Sequence, residues 1–145
     1  SINAWIAHQS LSNQMPKALQ LNVLDRPWLL PESIRLELKV VVAINLIHIA
    51  PWSCCKSLID QASENLPIGG RFILYGPFRR NGSHTSLSNE VFDQSLRDRN
   101  PSWGVRDLEA VEKLCSQVGL LGMHFQECPA NNLIVSLTKE ANCAT

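Results

Sequence analysis

The stretch Lys39–Leu46 (KVVVAINL) decides the fold class of this 145-residue chain. It is a continuous run of apolar, mostly β-branched residues, which is typical of a central strand of a parallel sheet, buried on both faces. After Pro51, apolar residues recur at the spacing of one helix face, at Cys55, Leu58, Ile59 and Ala62. The pattern predicts a helix to about Glu64 and a second strand at Arg71–Tyr75 (RFILY).

The segment before this unit is less regular. Ser1–Ser12 has helical spacing, and Lys17–Leu24 (KALQLNVL) alternates loosely enough to predict a short strand. Asp25–Glu32 contains two prolines, which predicts a loop. Strands and helices therefore alternate from the start of the chain, and this order favours a layered α/β fold.

The second half of the chain continues the alternation and then changes character. Pro77–Ser88 is predicted to be a loop, Asn89–Asp98 a helix with Val91, Phe92 and Leu96 inward, and Arg99–Arg106 a structured loop. Asp107 is predicted to cap a helix that ends at Gly119.

The last elements are predicted to form a hairpin. Two final strands, about Leu121–Glu127 and Leu133–Thr138, flank Pro129–Asn132 and predict an antiparallel hairpin. A mostly parallel sheet that finishes in such a hairpin disfavours a nicotinamide-dependent dehydrogenase. This ending resembles that of class I methyltransferases.

Composition narrows the classes of partner. Lys+Arg and Asp+Glu are both 13, so the net charge is zero and favours neither nucleic acid nor an anionic membrane surface. The longest apolar run, Val40–Ile44, is too short to span a bilayer. The five cysteines include no C-x-x-C pair, so we expect no disulfide framework, no metal site and a reducing, cytoplasmic location.

Four phrases carry a more specific signal than the fold class. They are residues 43–52 (AINLIHIAPW), 75–78 (YGPF), 99–107 (RNPSWGVRD) and 129–132 (PANN). In this order they resemble the methyltransferase-like 26 family, and the resemblance runs from about Ser1 to Lys139. That domain-of-unknown-function family is placed among the class I, Rossmann-like methyltransferases. The resemblance thus implies S-adenosylmethionine as cofactor.

The resemblance also implies a strand order, 3-2-1-4-5-7-6 with strand 7 antiparallel. On this mapping Lys17–Leu24 is family strand 3, Lys39–Leu46 strand 4, Arg71–Tyr75 strand 5 and the hairpin strands 6 and 7. The first two strands and their glycine-rich turn, E-x-x-x-G-x-G, have no counterpart, because Gly69-Gly70 precedes a strand. We therefore expect a partial methyltransferase domain at residues 1–139, followed by a tail at 140–145.

This mapping has physical consequences. Lys39–Leu46 should have an exposed apolar edge, and Lys17–Leu24 should be detached from it or paired with it in a non-family order. We expect such a chain to be poorly soluble and to bind S-adenosylmethionine weakly or not at all, because a glycine-rich turn supplies close backbone contacts to the cofactor.

Candidate site residues follow the ends of the two predicted parallel strands, where α/β sheets bind ligands. Asn45, near the end of a buried strand, is predicted to contact the methionine end of the cofactor or the substrate; alternatively its amide orders a loop. His48 is the candidate general base, or else hydrogen-bonds only to backbone. Tyr75 is a substrate-side donor or a core residue, and Pro77 follows it at the same edge.

Other candidate residues lie further along the chain. Asn22 occupies the position where the family resemblance places an acidic residue that accepts from the adenine amino group; an amide oxygen can still accept that bond. Arg99, Trp103 and Arg106 are predicted to form a substrate rim for an anionic or planar group; alternatively Arg106 pairs internally with Asp107 or Asp93. Asn132 is assigned to the substrate side.

Two functions remain open on these grounds. The first is an S-adenosylmethionine-dependent methyltransferase acting on a small molecule, incomplete as given. The second is a non-catalytic interaction protein that keeps the methyltransferase fold without a cofactor site.

Overall fold

The computed structural model describes residues 1–141, so positions 142–145 of the predicted tail lie outside the described residues. In chain order, the helices are α1 (Ile2–His8), α2 (Glu32–Glu37), α3 (Trp52–Asn65), α4 (Leu87–Arg99) and α5 (Leu108–Gln117). The strands are β1 (Val40–Ile44), β2 (Arg71–Gly76), β3 (Phe78–Arg80), β4 (Ser83–His84), β5 (Arg106–Asp107), β6 (Leu120–Cys128) and β7 (Asn132–Lys139). No helix among residues 1–141 combines the length and apolar character needed to cross a bilayer.

The main sheet has four strands in the order β1-β2-β7-β6. β1 and β2 are parallel and are joined through α3, while β2–β7 and β7–β6 are antiparallel. This order reproduces the predicted family order 4-5-7-6, and the terminal hairpin is confirmed. The prediction of a mostly parallel sheet is wrong, since only one of the three strand pairs is parallel and the other two are antiparallel. A smaller sheet has the order β4-β3-β5.

The core lies between this sheet and the helices α3 and α5, which contact each other. The predicted stripe of α3 is buried, as are Val111 and Cys115 of α5. Phe72 and Leu137 face each other across β2 and β7 and are also buried. The apolar periodicity of both helices therefore predicted their buried faces.

Strand β1 is an edge strand, so the exposed apolar edge expected from the family mapping is confirmed and the expectation of burial on both faces is wrong. Its single partner among the described residues is β2. Ala43 is buried on one face, whereas Val40, Val42 and Ile44 are 43%, 52% and 64% exposed. An unbroken apolar run thus does not distinguish a central strand from an edge strand, because periodicity reports the side chains and not the neighbouring backbones.

The predicted strand Lys17–Leu24 is wrong, because its backbone is irregular and pairs with no strand. Leu19, Leu21 and Leu24 are exposed, so alternation here did not correspond to one buried face. The expected separation of this segment from β1 is observed. A single alternating segment has no intrinsic stability as a strand until another strand's edge accepts its hydrogen bonds.

Other elements differ from prediction in local ways. The predicted loop Asp25–Glu32 is confirmed up to Pro31, and α2, which was not predicted, begins at Glu32. Pro77–Ser88 contains the β3–β4 hairpin, which turns at Asn81–Gly82. Helix α4 begins early because the Ser86 hydroxyl accepts the Asn89 N–H at 3.2 Å, a local cap. Within α4, Leu96 is buried as expected, but Val91 is 64% exposed.

Candidate active site

The parallel pair β1–β2 ends at Asn45. The Asn45 N–H donates to the Tyr75 carbonyl at 2.9 Å, and the Asn45 backbone then turns into the left-handed region at φ 52. Asparagine adopts this conformation more readily than most residues, which explains the strand end here. Asn45 is exposed, so the expectation of a buried amide is wrong and its side chain faces open space.

Gly76 at the end of β2 allows two site residues to approach the sheet. Its φ is +154, and a side-chain Cβ there would lie 3.1 Å from His48 Cε1 and 3.2 Å from Asn45 Oδ1. The missing side chain lets the imidazole and the amide sit against the strand end. The Y-G-P sequence carries this signal, since a glycine that closes a strand often marks a close approach.

His48 is buried, at 3% exposure, and its ring meets that of Phe92 edge to face, with centroids 5.7 Å apart. Its carbonyl accepts the Gly104 N–H at 2.9 Å. Burial, and then the positive charge of Arg106, lower the pKa of His48 from 6.5 to about 4. The imidazole is therefore neutral at physiological pH and can accept a proton, but it is a weaker base than an exposed histidine.

These residues line an open cleft of about 500 Å³ at the carboxyl ends of β1 and β2. Four of the predicted site residues come together in its wall, namely Asn45, His48, Pro77 and Asn132. Tyr75 stands behind them, where its hydroxyl accepts from Asn132 Nδ2 at 3.2 Å. The remaining wall comes from residues that sequence reasoning did not assign: Ile49, Ser88, Asn89, Phe92 and Ala130.

The 129–132 turn is held against α4 by side chains. Asn89 Nδ2 donates to the Asn131 carbonyl at 3.0 Å, and Asn131 Nδ2 donates to Ser88 Oγ at 3.1 Å. Ala130 and Asn131 both have left-handed backbone, with φ 60 and 56. Sequence alone gave no sign that the polar side chains at the start of α4 face this turn.

Arg106 does not line this cleft, and its predicted pairing with Asp107 or Asp93 is wrong. Its Nε donates to the Ile47 carbonyl at 3.0 Å, and one terminal nitrogen donates to the Ala50 carbonyl at 2.7 Å and to the Ser102 carbonyl at 2.9 Å. Arg106 therefore fixes the loop that carries His48. Only a guanidinium supplies several donors in one plane for such a set of carbonyls.

Asp93 orders the same region from α4. Its carboxylate accepts from Arg97 Nε at 2.9 Å and from the Val105 N–H at 2.6 Å, and it lies 3.4 Å from His84 Nε2. Burial raises the pKa of Asp93, but the hydrogen bonds from Arg97 and Val105 outweigh this effect and lower it. Gly104 permits the contact, since a Cβ there would lie 2.8 Å from Asp93 Oδ1.

Three further predicted residues are not in the cleft wall. Arg99 is exposed, with its guanidinium 5.7 Å from the Trp103 ring centre, and neither residue reaches the cleft. Asn22 is exposed and accepts the Leu24 N–H at 3.0 Å in a local turn. Their assigned ligand contacts remain predictions. Among residues 1–141, no three His, Cys, Asp or Glu side chains are grouped as metal ligands.

This fold and site define a class: the described chain has a methyltransferase-like fold with its cleft at the carboxyl ends of the parallel strands. The chain belongs to a family described as "Protein of unknown function (DUF938)", whose sequence profile matches residues 1–139.

Solved methyltransferases share the fold. An O-methyltransferase family protein from Burkholderia thailandensis is 11% identical at a TM-score of 0.76, covering 97% of this chain and 40% of that one. The S-adenosylmethionine-dependent methyltransferase SibL, in its apo form, is 14% identical at 0.76, covering 96% and 40%. Human N-acetylserotonin methyltransferase, in complex with SAM, is 12% identical at 0.70, covering 92% and 38%. The chain thus spans about two fifths of each of these proteins' length.

Proposed function

We propose that this chain is the acceptor-side part of an S-adenosylmethionine-dependent methyltransferase that acts on a small molecule. The cleft at the β1–β2 strand ends is the observation that carries this proposal. A volume of about 500 Å³ suits a small-molecule ligand, and its lining mixes apolar surface with a few amides and one neutral imidazole. We also propose that the chain belongs to the methyltransferase-like 26 group, on the basis of the four sequence phrases at residues 43–52, 75–78, 99–107 and 129–132.

Methyl transfer from a sulfonium requires mainly an in-line approach and exclusion of water. When bound, S-adenosylmethionine supplies the electrophilic methyl group. Asn45 would hold its methionine end, since the amide is exposed beside Gly76 and has the freedom to turn toward a ligand. Asn132 and Pro77, which line the same cleft, would position the acceptor.

His48 would accept the proton of the acceptor nucleophile. Its lowered pKa keeps the imidazole unprotonated from about pH 5 upward, so it is available as a base over the whole physiological range. The same lowered pKa limits its strength, and we place its contribution at the lower end of general-base effects.

The fit to the cofactor is partial. Residues 1–141 contain no glycine-rich turn between a strand and a helix, and the Asn22 oxygen already accepts a backbone N–H. We expect the 145-residue chain to bind S-adenosylmethionine weakly or not at all. Isothermal titration tests this expectation, and micromolar affinity for the 145-residue chain would contradict it.

A second candidate is a non-catalytic interaction protein that retains the fold. The free edge of β1, with three exposed aliphatic side chains, favours it. The two candidates differ in one measurable respect. A catalytic protein transfers a labelled methyl group to a small molecule, and its cleft residues control the rate. An interaction protein tolerates cleft substitutions and depends on β1.

The deciding experiment is methyl transfer from radiolabelled S-adenosylmethionine to a panel of small nucleophiles, with the longest natural form of the protein. We expect His48→Ala to lower kcat by about 100-fold with little change in cofactor affinity. His124→Ala, an exposed histidine on β6, is the matched control and should leave the rate unchanged. Equal rates for wild type and His48→Ala would remove His48 from the mechanism.

A further inference from the structure

Two consecutive arginines at the end of β3, Arg79 and Arg80, lie on different faces of the strand and have different neighbours. Strand alternation places Arg80 on the same face as the buried Phe78, and Arg79 on the other face. Arg79 has an acidic partner in this chain: its guanidinium donates to the Gly82 carbonyl, and its Nε, which is buried without a hydrogen bond, lies 3.6 Å from Asp107 Oδ1. Arg80 has no carboxylate partner among residues 1–141, so the two arginines require separate explanations.

Arg80 lies over an aromatic ring with a buried donor that no described residue satisfies. Its guanidinium carbon is 4.5 Å from the centre of the Phe125 ring, a cation–π contact that restrains the group. The Arg80 Nε is buried and has no hydrogen-bond partner among residues 1–141. Arginine remains charged at all physiological pH values, and Arg80, unlike Arg79, has no carboxylate of residues 1–141 within ion-pair distance, so an anion from outside the chain would supply the missing counter-charge.

The space in front of Arg80 is a polar pocket of about 230 Å³. Thr85, Asn131 and Asn132 supply hydroxyl and amide groups to its wall, and Glu127 lines it as an exposed residue. Asn132 also lines the larger cleft that contains His48. The two spaces are therefore neighbours that share one side chain.

We propose that Arg80 binds an anionic group, a carboxylate or a phosphate, of the molecule whose reactive group enters the His48 cleft. A guanidinium presents its donors as a planar fork, which matches the paired oxygens of such an anion. Asn131 and Asn132 add neutral polar groups, and Glu127 excludes a ligand with more than one anionic group at this end. The assignment of the reactive end rests on the proposed methyl transfer, while the anion site itself does not.

The test measures anion binding without cofactor or turnover. Ligand-observed NMR on the 145-residue chain at micromolar concentration would compare benzoate with benzamide, its neutral isostere. We expect benzoate to bind and benzamide not to bind. Arg80→Gln should weaken benzoate about tenfold, the loss of one charge-assisted pair, and Arg80→Lys should lie between them. Arg79→Gln is the matched control and should change the affinity less than about twofold.

Competition then distinguishes the two sources of the anion. If inorganic phosphate displaces benzoate at a lower concentration than acetate does, the natural ligand carries a phosphate. If acetate displaces benzoate at the lower concentration, the natural ligand carries a carboxylate. Glu127→Gln, an exposed substitution that should not disturb folding, is expected to tighten benzoate binding. Equal weakening in the Arg79 and Arg80 variants, no effect of Arg80→Gln, or no binding of either anion to the wild-type chain would each overturn the site.

The two proposals fail separately. Intact benzoate binding in a protein that transfers no methyl group would remove the methyltransferase assignment and leave the anion site. Methyl transfer that proceeds equally on neutral and anionic acceptors would leave the enzyme and remove the role of Arg80 in acceptor choice.

Discussion

The N-terminal segment (residues 1–38) and the sheet region (residues 39–139) differ in how they are held. Ile6 and Trp28 are the buried residues of the N-terminal segment, whereas the sheet region supplies the rest of the core. The helices α1 and α2 have seven and six residues. Helices this short are not stable as isolated peptides in water. The sheet region instead closes its own hydrogen bonds through β2, β7 and β6. This difference indicates that the N-terminal segment is ordered by packing against the rest of the chain, whereas the sheet region is ordered by hydrogen bonds between its own strands.

The two regions meet through a small number of contacts. The Trp28 N–H donates to Gln61 Oε1 at 2.7 Å inside the structure, and Arg26 is 2.7 Å from the Asp60 carboxylate at the surface. Both partners lie on α3. If docking through α3 is what orders the N-terminal segment, substitutions in the two regions should differ sharply in cost.

The largest effect is expected in the sheet. Phe72 is fully buried on β2, so Phe72→Ala should lower the free energy of unfolding by about 3–5 kcal/mol. Leu29→Ala, at a side chain that is 86% exposed in the N-terminal segment, should change it by less than about 0.5 kcal/mol. Urea unfolding measures both, and comparable losses would show that the contrast between the regions is wrong.

The next largest loss of unfolding free energy is expected in the loop that carries His48. Arg106→Met removes donors from the Ile47, Ala50 and Ser102 carbonyls, and should cost about 2–3 kcal/mol in unfolding free energy. Arg99→Met, at the exposed arginine that ends α4, is the control and should cost under about 1 kcal/mol. Equal costs in urea titrations would mean that the carbonyl contacts of Arg106 contribute little.

Acid should weaken the sheet region through His48. The pKa of about 4 in the folded chain lies below the 6.5 of an unfolded one, so the unfolded state binds the proton first. Stability is then complete above pH 6.5 and falls by about 1–2 kcal/mol between pH 6.5 and 4, after allowance for solvent screening at the open cleft. His48→Gln should flatten this slope and His124→Gln should not. Parallel curves for wild type and His48→Gln would contradict the assignment.

The smallest effect is expected at the surface contact between the regions. Arg26 is half exposed, and Lys56 also contacts Asp60 at 2.8 Å, so Arg26→Gln should cost about 0.2–1 kcal/mol. The cost should shrink in 1 M salt, because exposed ion pairs are screened. Arg35→Gln, in a more open pair with Glu32, should cost less. A larger cost for Arg26→Gln than for Arg106→Met would reverse the proposed ranking.

The contrast also explains what the sequence could predict. The stripe of α3 and the C-terminal hairpin were predicted correctly, because each depends on local periodicity or on neighbours within the chain. The order of the four strands followed from the family resemblance and not from the pattern of the residues. Lys17–Leu24 and β1 were predicted wrongly in part, because pairing and two-sided burial depend on strands that periodicity does not report. A strand pattern indicates a propensity, and the presence of a partner decides the outcome.

The candidate site also contains some residues that the sequence predicted and others that it did not. The cleft wall contains Asn45, His48 and Pro77 as predicted, because strand ends in parallel sheets meet at one edge, whereas Asn132 was assigned with the 129–132 phrase of the family resemblance. The contribution of α4 was missed, since nothing in its sequence indicates which turn its cap residues face. Arg106 was identified as unusual, but its partners are backbone carbonyls, which carry no residue-type signal.

One edge of β1 is paired with no strand among residues 1–141. This edge fixes the spacing of its hydrogen-bonding groups, but it does not fix the register of a strand that is added to it. Hydrogen bonds tie Lys39 and Asn45 to β2, so alternation turns the amides of Val40, Val42 and Ile44 outward. These outward groups repeat every two residues, at about 6.6 Å. Their side chains are all aliphatic and therefore nearly interchangeable. A strand added here would fit equally well after sliding by two residues, so the structures at its ends would have to determine its alignment.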